Sequence, residues 1–123
     1  MNRDPASLLD VARFAEVILQ LTAGLDEQSF QADLKTQLAV LYELTVLGEA
    51  VKRLSLEFRD RHPNVPWRSM AGMRDKLVHD YDQVDAQRIW EVVTTNIPEL
   101  LTQITPLLSV PDEPPTTAEG NSQ

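Results

Sequence analysis

Val40, Leu44, Leu47, Val51, Leu54 and Phe58 recur at spacings of three and four residues, and this spacing restricts the fold more than any other feature of the chain. Side chains three and four apart share a face only in a helix, whereas a strand brings every second residue to one side. The pattern predicts one long helix from Phe30 to Phe58. A second stripe, Leu34, Leu38, Leu41, Thr45 and Gly48, runs beside the first. A helix with so wide an apolar arc is either central in its own bundle or shared with another chain. Glycine in mid-helix costs about 1 kcal/mol relative to alanine, and close approach of a neighbouring helix is the offset expected at Gly48. Glu49 and Arg53, four apart, are placed to pair on the exposed side.

The flanking segments keep the same period. Asp4-Pro5 reads as a cap followed by proline at the first helical position. It opens a helix of about residues 5–22 with the stripe Leu8, Leu9, Ala12, Ala15, Val17, Ile18, Leu19 and Leu21, and Gly24 as its stop. Arg61-His62-Pro63-Asn64-Val65-Pro66 interrupts helix formation, because each proline restricts the residue before it. His62 is read there as a loop residue without a catalytic part. Trp67 opens a further helix reaching roughly Tyr81. Asp82 or Asp85 caps the last helix, with Ile89, Trp90, Val93, Ile97, Leu100, Leu101, Ile104, Leu107 and Leu108 as its stripe. Pro98 lies inside that helix and should kink or split it near Asn96. Nothing alternates as a strand does, so the expected class is all-α. One domain is expected over residues 1–108, followed by a tail, 109–123, with too little apolar surface to order itself.

The chain has 123 residues, no cysteine and a net charge of −8. The absence of cysteine excludes a disulfide scaffold and a zinc–thiolate site, and suits a reducing cytoplasm. No apolar run approaches the ~20 residues of a membrane span, and Met-Asn-Arg-Asp-Pro is unlike the start of a signal peptide. A soluble cytoplasmic protein without membrane association is therefore expected. The acidity argues at first against a nucleic-acid partner, but its distribution does not. Residues 52–79 hold seven bases (Lys52, Arg53, Arg59, Arg61, Arg68, Arg74, Lys76) against three acids (Glu57, Asp60, Asp75), a local charge of +4. Such a strip is either a solvated basic face or a site for a phosphate-bearing partner.

The unusual chemistry lies at the end of this strip, in Arg74-Asp75-Lys76-Leu77-Val78-His79-Asp80-Tyr81. On an ideal helix turning roughly 100° per residue, Arg74 falls within the apolar face formed by Trp67, Met70, Ala71, Met73, Leu77, Val78 and Tyr81. His79 falls on another side, aligned with Arg68, Gly72 and Asp75. An imidazole exchanges protons near neutral pH, and a guanidinium can hold a phosphate and stabilise charge developing on it. Asp75 could orient His79, and the Tyr81 hydroxyl could bind phosphate, share a proton or be modified. Arg, His and Tyr without a metal suit cleavage of RNA through its own 2′-hydroxyl. A metal site is a poor alternative, since His79 with Asp75 and Asp80 lacks a second imidazole or a thiolate. Arg74 and His79 diverge by roughly 140° on that helix, so two copies meeting across a two-fold axis would assemble such a site better than one.

Arg74-x4-His79-x-Tyr81 resembles the R-x4-H-x-Y motif of the HEPN superfamily, and specifically of HepT-type toxins. Leu47-Gly48-Glu49-Ala50, His62-Pro63-Asn64-Val65-Pro66-Trp67 and Met70-Ala71-Gly72-Met73 match the same pattern, as do Val84-Asp85, Ile89-Trp90 and Pro98-Glu99-Leu100. The resemblance spans residues 5–108. It implies a HEPN-type helical bundle forming a two-fold homodimer, and a metal-independent endoribonuclease that is the toxin of a type VII-like toxin–antitoxin system. No cofactor is implied. Carried onto this chain, the catalytic set is Arg74 and His79 together with Asp75 and Tyr81. Arg68, Lys76 and Arg53 are candidate RNA contacts. The residue after the arginine is often Asn in the family; here Asp75 puts a carboxylate near the phosphate. The implied partner is an MntA-like minimal nucleotidyltransferase that silences the toxin by transferring AMP from ATP to Tyr81. Charge and bulk added there would oppose RNA phosphate. The alternative is a non-catalytic helical module that is only a substrate or docking partner of the nucleotidyltransferase.

Overall fold

A computed structural model describes residues 2–79 and 83–108, with the backbone alone described at His79. Eight α-helices carry the described chain: α1 (Asp4–Thr22), α2 (Glu27–Gln31), α3 (Leu34–Arg53), α4 (Leu56–Arg61), α5 (Trp67–Ala71), α6 (Met73–Leu77), α7 (Ala86–Glu91) and α8 (Ile97–Leu108). A π-helical turn, Val92–Asn96, joins α7 to α8. Two short strands, β1 (Val78–His79) and β2 (Gln83–Val84), pair antiparallel, with Val78 opposite Val84 and His79 opposite Gln83. The class is all-α, as the helical period requires, with this two-residue ladder as the one departure among the described residues.

Helix α3 is the centre of the bundle. Val40, Leu44, Leu47, Val51 and Leu54 are essentially inaccessible and belong to one core with Leu8, Val11, Ala15 and Ile18 of α1, against which Ile97, Leu100 and Ile104 of α8 are also buried. Ala12 and Ala15 keep the α1 seam narrow, so the backbones can approach and the larger aliphatics can interdigitate.

The long helix expected from Phe30 to Phe58 is three helices, and each break has a polar cause. Asp33 accepts the amide of Thr36 at 3.1 Å and its hydroxyl at 2.6 Å, which starts α3 anew. Those bonds favour the ionised carboxylate and hold Asp33 below the usual range. The buried Gln37 side-chain amide donates to the carbonyls of Phe30 and Gln31, closing the end of α2. Downstream, Leu54 leaves the helix with extended backbone, and the Ser55 hydroxyl accepts the amide of Phe58 to start α4.

That same serine overturns the reading of Asp4 as a cap. Arg3 occupies the cap position, and Asp4 is the first helical residue, 6% exposed. Its carboxylate accepts the Ser55 amide at 2.8 Å and the Ser55 hydroxyl at 2.7 Å, fastening the start of α1 to the α3–α4 corner. Asp4→Ala would remove a buried carboxylate that accepts two hydrogen bonds from Ser55. It is expected to cost about 1–3 kcal/mol, read as a lower urea midpoint with an unchanged slope.

Two surface pairings differ from expectation. Glu49 meets Lys52 at 3.4 Å, and Arg53 reaches Asp10 of α1 at 3.4 Å rather than Glu49. The interruption expected at Pro98 is present. Proline lacks the amide that would bond one turn back, and the π-turn immediately before it absorbs the defect. Asp85 caps α7 by accepting the amide of Arg88 at 3.1 Å, and Gly24 follows α1 with φ of +82°, a left-handed conformation that suits glycine. Asp82 and residues 109–123 lie outside the described residues, and with them the expected tail.

Candidate active site on the α5–α6 ribbon

The segment from Trp67 is not one helix to Tyr81. It breaks at Gly72, restarts as α6 and leaves helical geometry at Val78, which is extended at φ −119° and ψ 123°. The Leu77 carbonyl accepts the amide of Asp85 at 2.9 Å, so β1 and β2 close a short hairpin onto the end of α6. His79 therefore lies on a strand, paired through its backbone with Gln83. Its side chain, together with Asp80 and Tyr81, lies outside the described residues.

This geometry corrects the helical projection of Arg74. Met73 and Leu77, four apart, are 6% and 0% exposed and pin α6 to the core. Arg74, Asp75 and Lys76 fall between these anchors and all three face solvent. The Arg74 side chain is 51% accessible and meets Asp75 at 3.6 Å, beyond hydrogen-bonding distance and with Asp75 itself 83% exposed. An exposed pair of this kind is worth about 0–1 kcal/mol, which leaves the guanidinium available to a phosphate. The roughly 140° divergence of Arg74 from His79 required a helix through both. Since the helix ends at Leu77, it no longer argues for a dimer.

What holds the ribbon in place is glycine. A Cβ on Gly48 would stand 2.9 Å from the Ala71 carbonyl oxygen and 3.5 Å from that of Met70. Helix α3 thus touches the α5 backbone at the turn before Arg74, and the close neighbour expected of Gly48 is this ribbon.

The other basic candidates are distributed unevenly. Arg68 on α5 and Lys76 on α6 are exposed, and neither has an acidic partner among the described residues. Arg53 ends α3 and is committed to Asp10. A cavity of about 710 Å³ between the start of α1, α4 and the end of α8 is lined by His62 and Arg61 but by none of Arg68, Arg74 and Lys76. The His62 ring packs on Phe58 with centroids 4.7 Å apart.

A protein-family model described as ribonuclease HepT-like matches residues 11–107. The chain belongs to the HepT-like ribonuclease family. Among curated relatives, it is 43% identical to a "Probable ribonuclease HepT" of Thermococcus cleftensis, over 76% of this chain and 84% of that protein. It is 41% identical to a "Putative RNase" of Caldanaerobacter subterraneus over 76% of this chain and 83% of the relative. A "Putative RNase" of Methanocaldococcus jannaschii is 38% identical over 80% and 82% of the two chains. No solved structure matches at a significant level.

In this HepT-like chain the matched region takes in α3, the ribbon and the hairpin. The structure thus brings Arg68, Arg74 and Lys76 onto one continuous segment that leads into His79, and leaves Arg53 on another helix. The sequence reading did not single out Arg59 of α4. It is half-buried with its Nε covered and unpaired, beside Arg68 in a depression of about 400 Å³. The signal that could have revealed it was Ser55 three residues before Phe58, a cap that ends the long helix and starts the α4 that carries Arg59.

Proposed function

We propose that this HepT-like chain is the toxin of a toxin–antitoxin pair, an endoribonuclease that needs no metal and cuts RNA by attack of a ribose 2′-hydroxyl on the adjacent phosphorus. The observation that carries the reading is the exposed guanidinium of Arg74, fixed between two buried anchors and five residues before His79, in a chain of this family. Anchoring the backbone on either side of Arg74 removes part of the cost of orienting its charge, which suits transition-state stabilisation.

In the proposed step His79 accepts the 2′-hydroxyl proton as the 2′-oxygen bonds to phosphorus. An imidazolium protonates the departing 5′-oxygen, leaving a 2′,3′-cyclic phosphate and a 5′-hydroxyl. Arg74 neutralises the extra negative charge on the phosphorane. In a homodimer with both motifs at one cleft, one His79 serves as base and the other as acid. Leu34, Leu38 and Tyr42 of α3, 60%, 47% and 64% exposed at successive spacings of four, support such a dimer. Three large apolar side chains in one row form a patch rather than isolated exposures.

Asp75 gives a second reading its support. Its carboxylate stands next to the guanidinium, as suits a non-catalytic module that a nucleotidyltransferase binds and modifies. Asp75→Asn separates the two. If Arg74 acts on phosphate, freeing it from the pair should raise kcat/KM for RNA up to about fivefold, the equivalent of 1 kcal/mol or less.

Silencing is proposed to run through Tyr81, by transfer of AMP from ATP to the phenol oxygen by a minimal nucleotidyltransferase encoded beside this chain. Intact-mass analysis after co-expression should show one or more added AMP groups, and Tyr81→Phe should remove them. Unchanged mass in the wild-type chain refutes the modification. Purified protein whose mass shows Tyr81 unmodified, yet which leaves RNA intact over a wide concentration range with chelator present, refutes the enzyme.

A further inference from the structure

The depression between α4 and α5 is walled by Leu56, Arg59, Asp60, Pro66, Arg68 and Ser69. Its floor is apolar, since Val65 and Trp67 are 3% and 5% exposed, while Leu56 on its rim is 70% exposed. The loop that shapes it is tied down. The Trp67 indole donates to the His62 carbonyl at 2.9 Å, and the Gln103 amide of α8 donates to the Asn64 carbonyl at 3.0 Å. The depression is therefore preformed rather than an accident of a loose loop.

Its charges come as a pair. Of the seven bases in the strip, Lys52, Arg53 and Arg74 each have a carboxylate within 4 Å. Arg59, Arg61, Arg68 and Lys76 have none among the described residues, and two of these four, Arg59 and Arg68, line the depression, with Asp60 in the same wall. Arg59 is held against the protein with its Nε covered and unpaired, so much of its side-chain freedom is already lost. A guanidinium restrained in this way loses less entropy when it binds a second group. Two unpaired arginines over an apolar floor match a nucleotide, which presents phosphate oxygens at one end and a flat apolar base at the other. A volume of about 400 Å³ lies within the roughly 300–1,000 Å³ usual for small-ligand sites. It has room for one nucleotide, and only an unpaired base could turn into it.

We propose that this depression is a second RNA subsite, in which Arg59 and Arg68 hold a backbone phosphate and Leu56 and Pro66 receive one unpaired base. The inference rests on the ribonuclease reading above and deepens it. Arg68 and Arg74 lie on the same ribbon, six residues apart across Gly72, and in the proposal a strand engaged at Arg74 reaches Arg68 as well. The substrate class is then single-stranded RNA or an unpaired loop, with at least one nucleotide read away from the cut. An acidic protein segment would find the same cations, and the ribonuclease reading is what favours RNA here.

The test is RNA binding by the full chain, measured by fluorescence anisotropy across a salt series, with cleavage kinetics alongside. Arg68→Glu is the first variant, because the Arg68 side chain is exposed and makes no hydrogen bond or ion pair among the described residues; Arg59→Gln is the second. Each should weaken single-stranded RNA binding about three- to tenfold and flatten the dependence of log K on log salt by roughly 0.7, the value of one phosphate contact on a single strand. In cleavage, KM should rise more than kcat falls. Asp60→Asn should tighten binding about two- to threefold, a gain that no loss of folding can imitate. A duplex of the same sequence should bind all four proteins nearly alike. If the wild type cleaves RNA while these variants keep its affinity and salt slope, the subsite is refuted and the ribonuclease reading stands. Should they keep RNA affinity but lose a protein partner, the depression belongs to that partner. A wild type that neither binds nor cleaves RNA overturns both.

Discussion

Arg74→Ala and His79→Ala are each expected to slow RNA cleavage by a factor of about 100 or more, the usual loss when a transition-state cation or a general acid–base is removed. Arg74→Ala should do so without unfolding the protein. Its side chain is half-exposed and, among the described residues, is paired only with Asp75, itself on the surface, and such substitutions usually stay within about 0.5 kcal/mol. Single-turnover cleavage of an end-labelled RNA in chelator gives the rate, and thermal melting gives the stability. Arg74→Lys should fall between wild type and alanine, since it keeps the charge but loses the two-pronged grip on phosphate. The double variant should be little worse than either single one, because groups acting on one transition state are not additive. Full activity in Arg74→Ala would remove Arg74 from the mechanism. Growth arrest on expression should vanish in the same variants.

The second large effect is expected at Gly48. Alanine there gains about 1 kcal/mol of helix propensity, but its methyl would stand 2.9 Å from the Ala71 carbonyl oxygen. The obstacle is backbone, which cannot swing aside as a side chain can. Overpacking costs typically 1–3 kcal/mol, so the contact outweighs the propensity and Gly48→Ala should be destabilised on balance. Gly48→Leu should lose about 3 kcal/mol or more, visible as a fall in both melting temperature and urea midpoint. Cleavage should fall further than stability does, since the element pushed away is the ribbon that carries Arg74. Equal stability for Gly48→Ala and wild type would show that α3 and α5 can separate freely.

Much of the architecture was legible because it depends on periodicity. Leu44, Leu47, Ile97 and Ile104 are buried where a spacing of three and four puts them, and the break before Pro98 follows from one missing amide. What was not legible depends on polar side chains acting at a distance. Ser55 ends the long helix because its hydroxyl caps α4 while Asp4, 51 residues away in sequence, binds it from α1. No local pattern announces such a pair. The exposure of Arg74 was hidden in the same way. Arg74 looked buried on a helical wheel that ran through Val78, but Gly72 and the β1–β2 ladder end the helix first. The motif residues were visible as residue types at a spacing, whereas their exposure was set by Met73 and Leu77 reaching the core from either side.

Those two anchors have a consequence for how the chain can change. Because the core holds α6 only by its first and last residues, the three between them are free of any folding requirement. A single base change that removes Arg74 would therefore leave a folded protein that still accumulates in the cell. If the chain is a toxin, its poison can be lost in one step while its surface persists, so survivors of selection should be rich in full-length chains altered at this ribbon rather than in truncations.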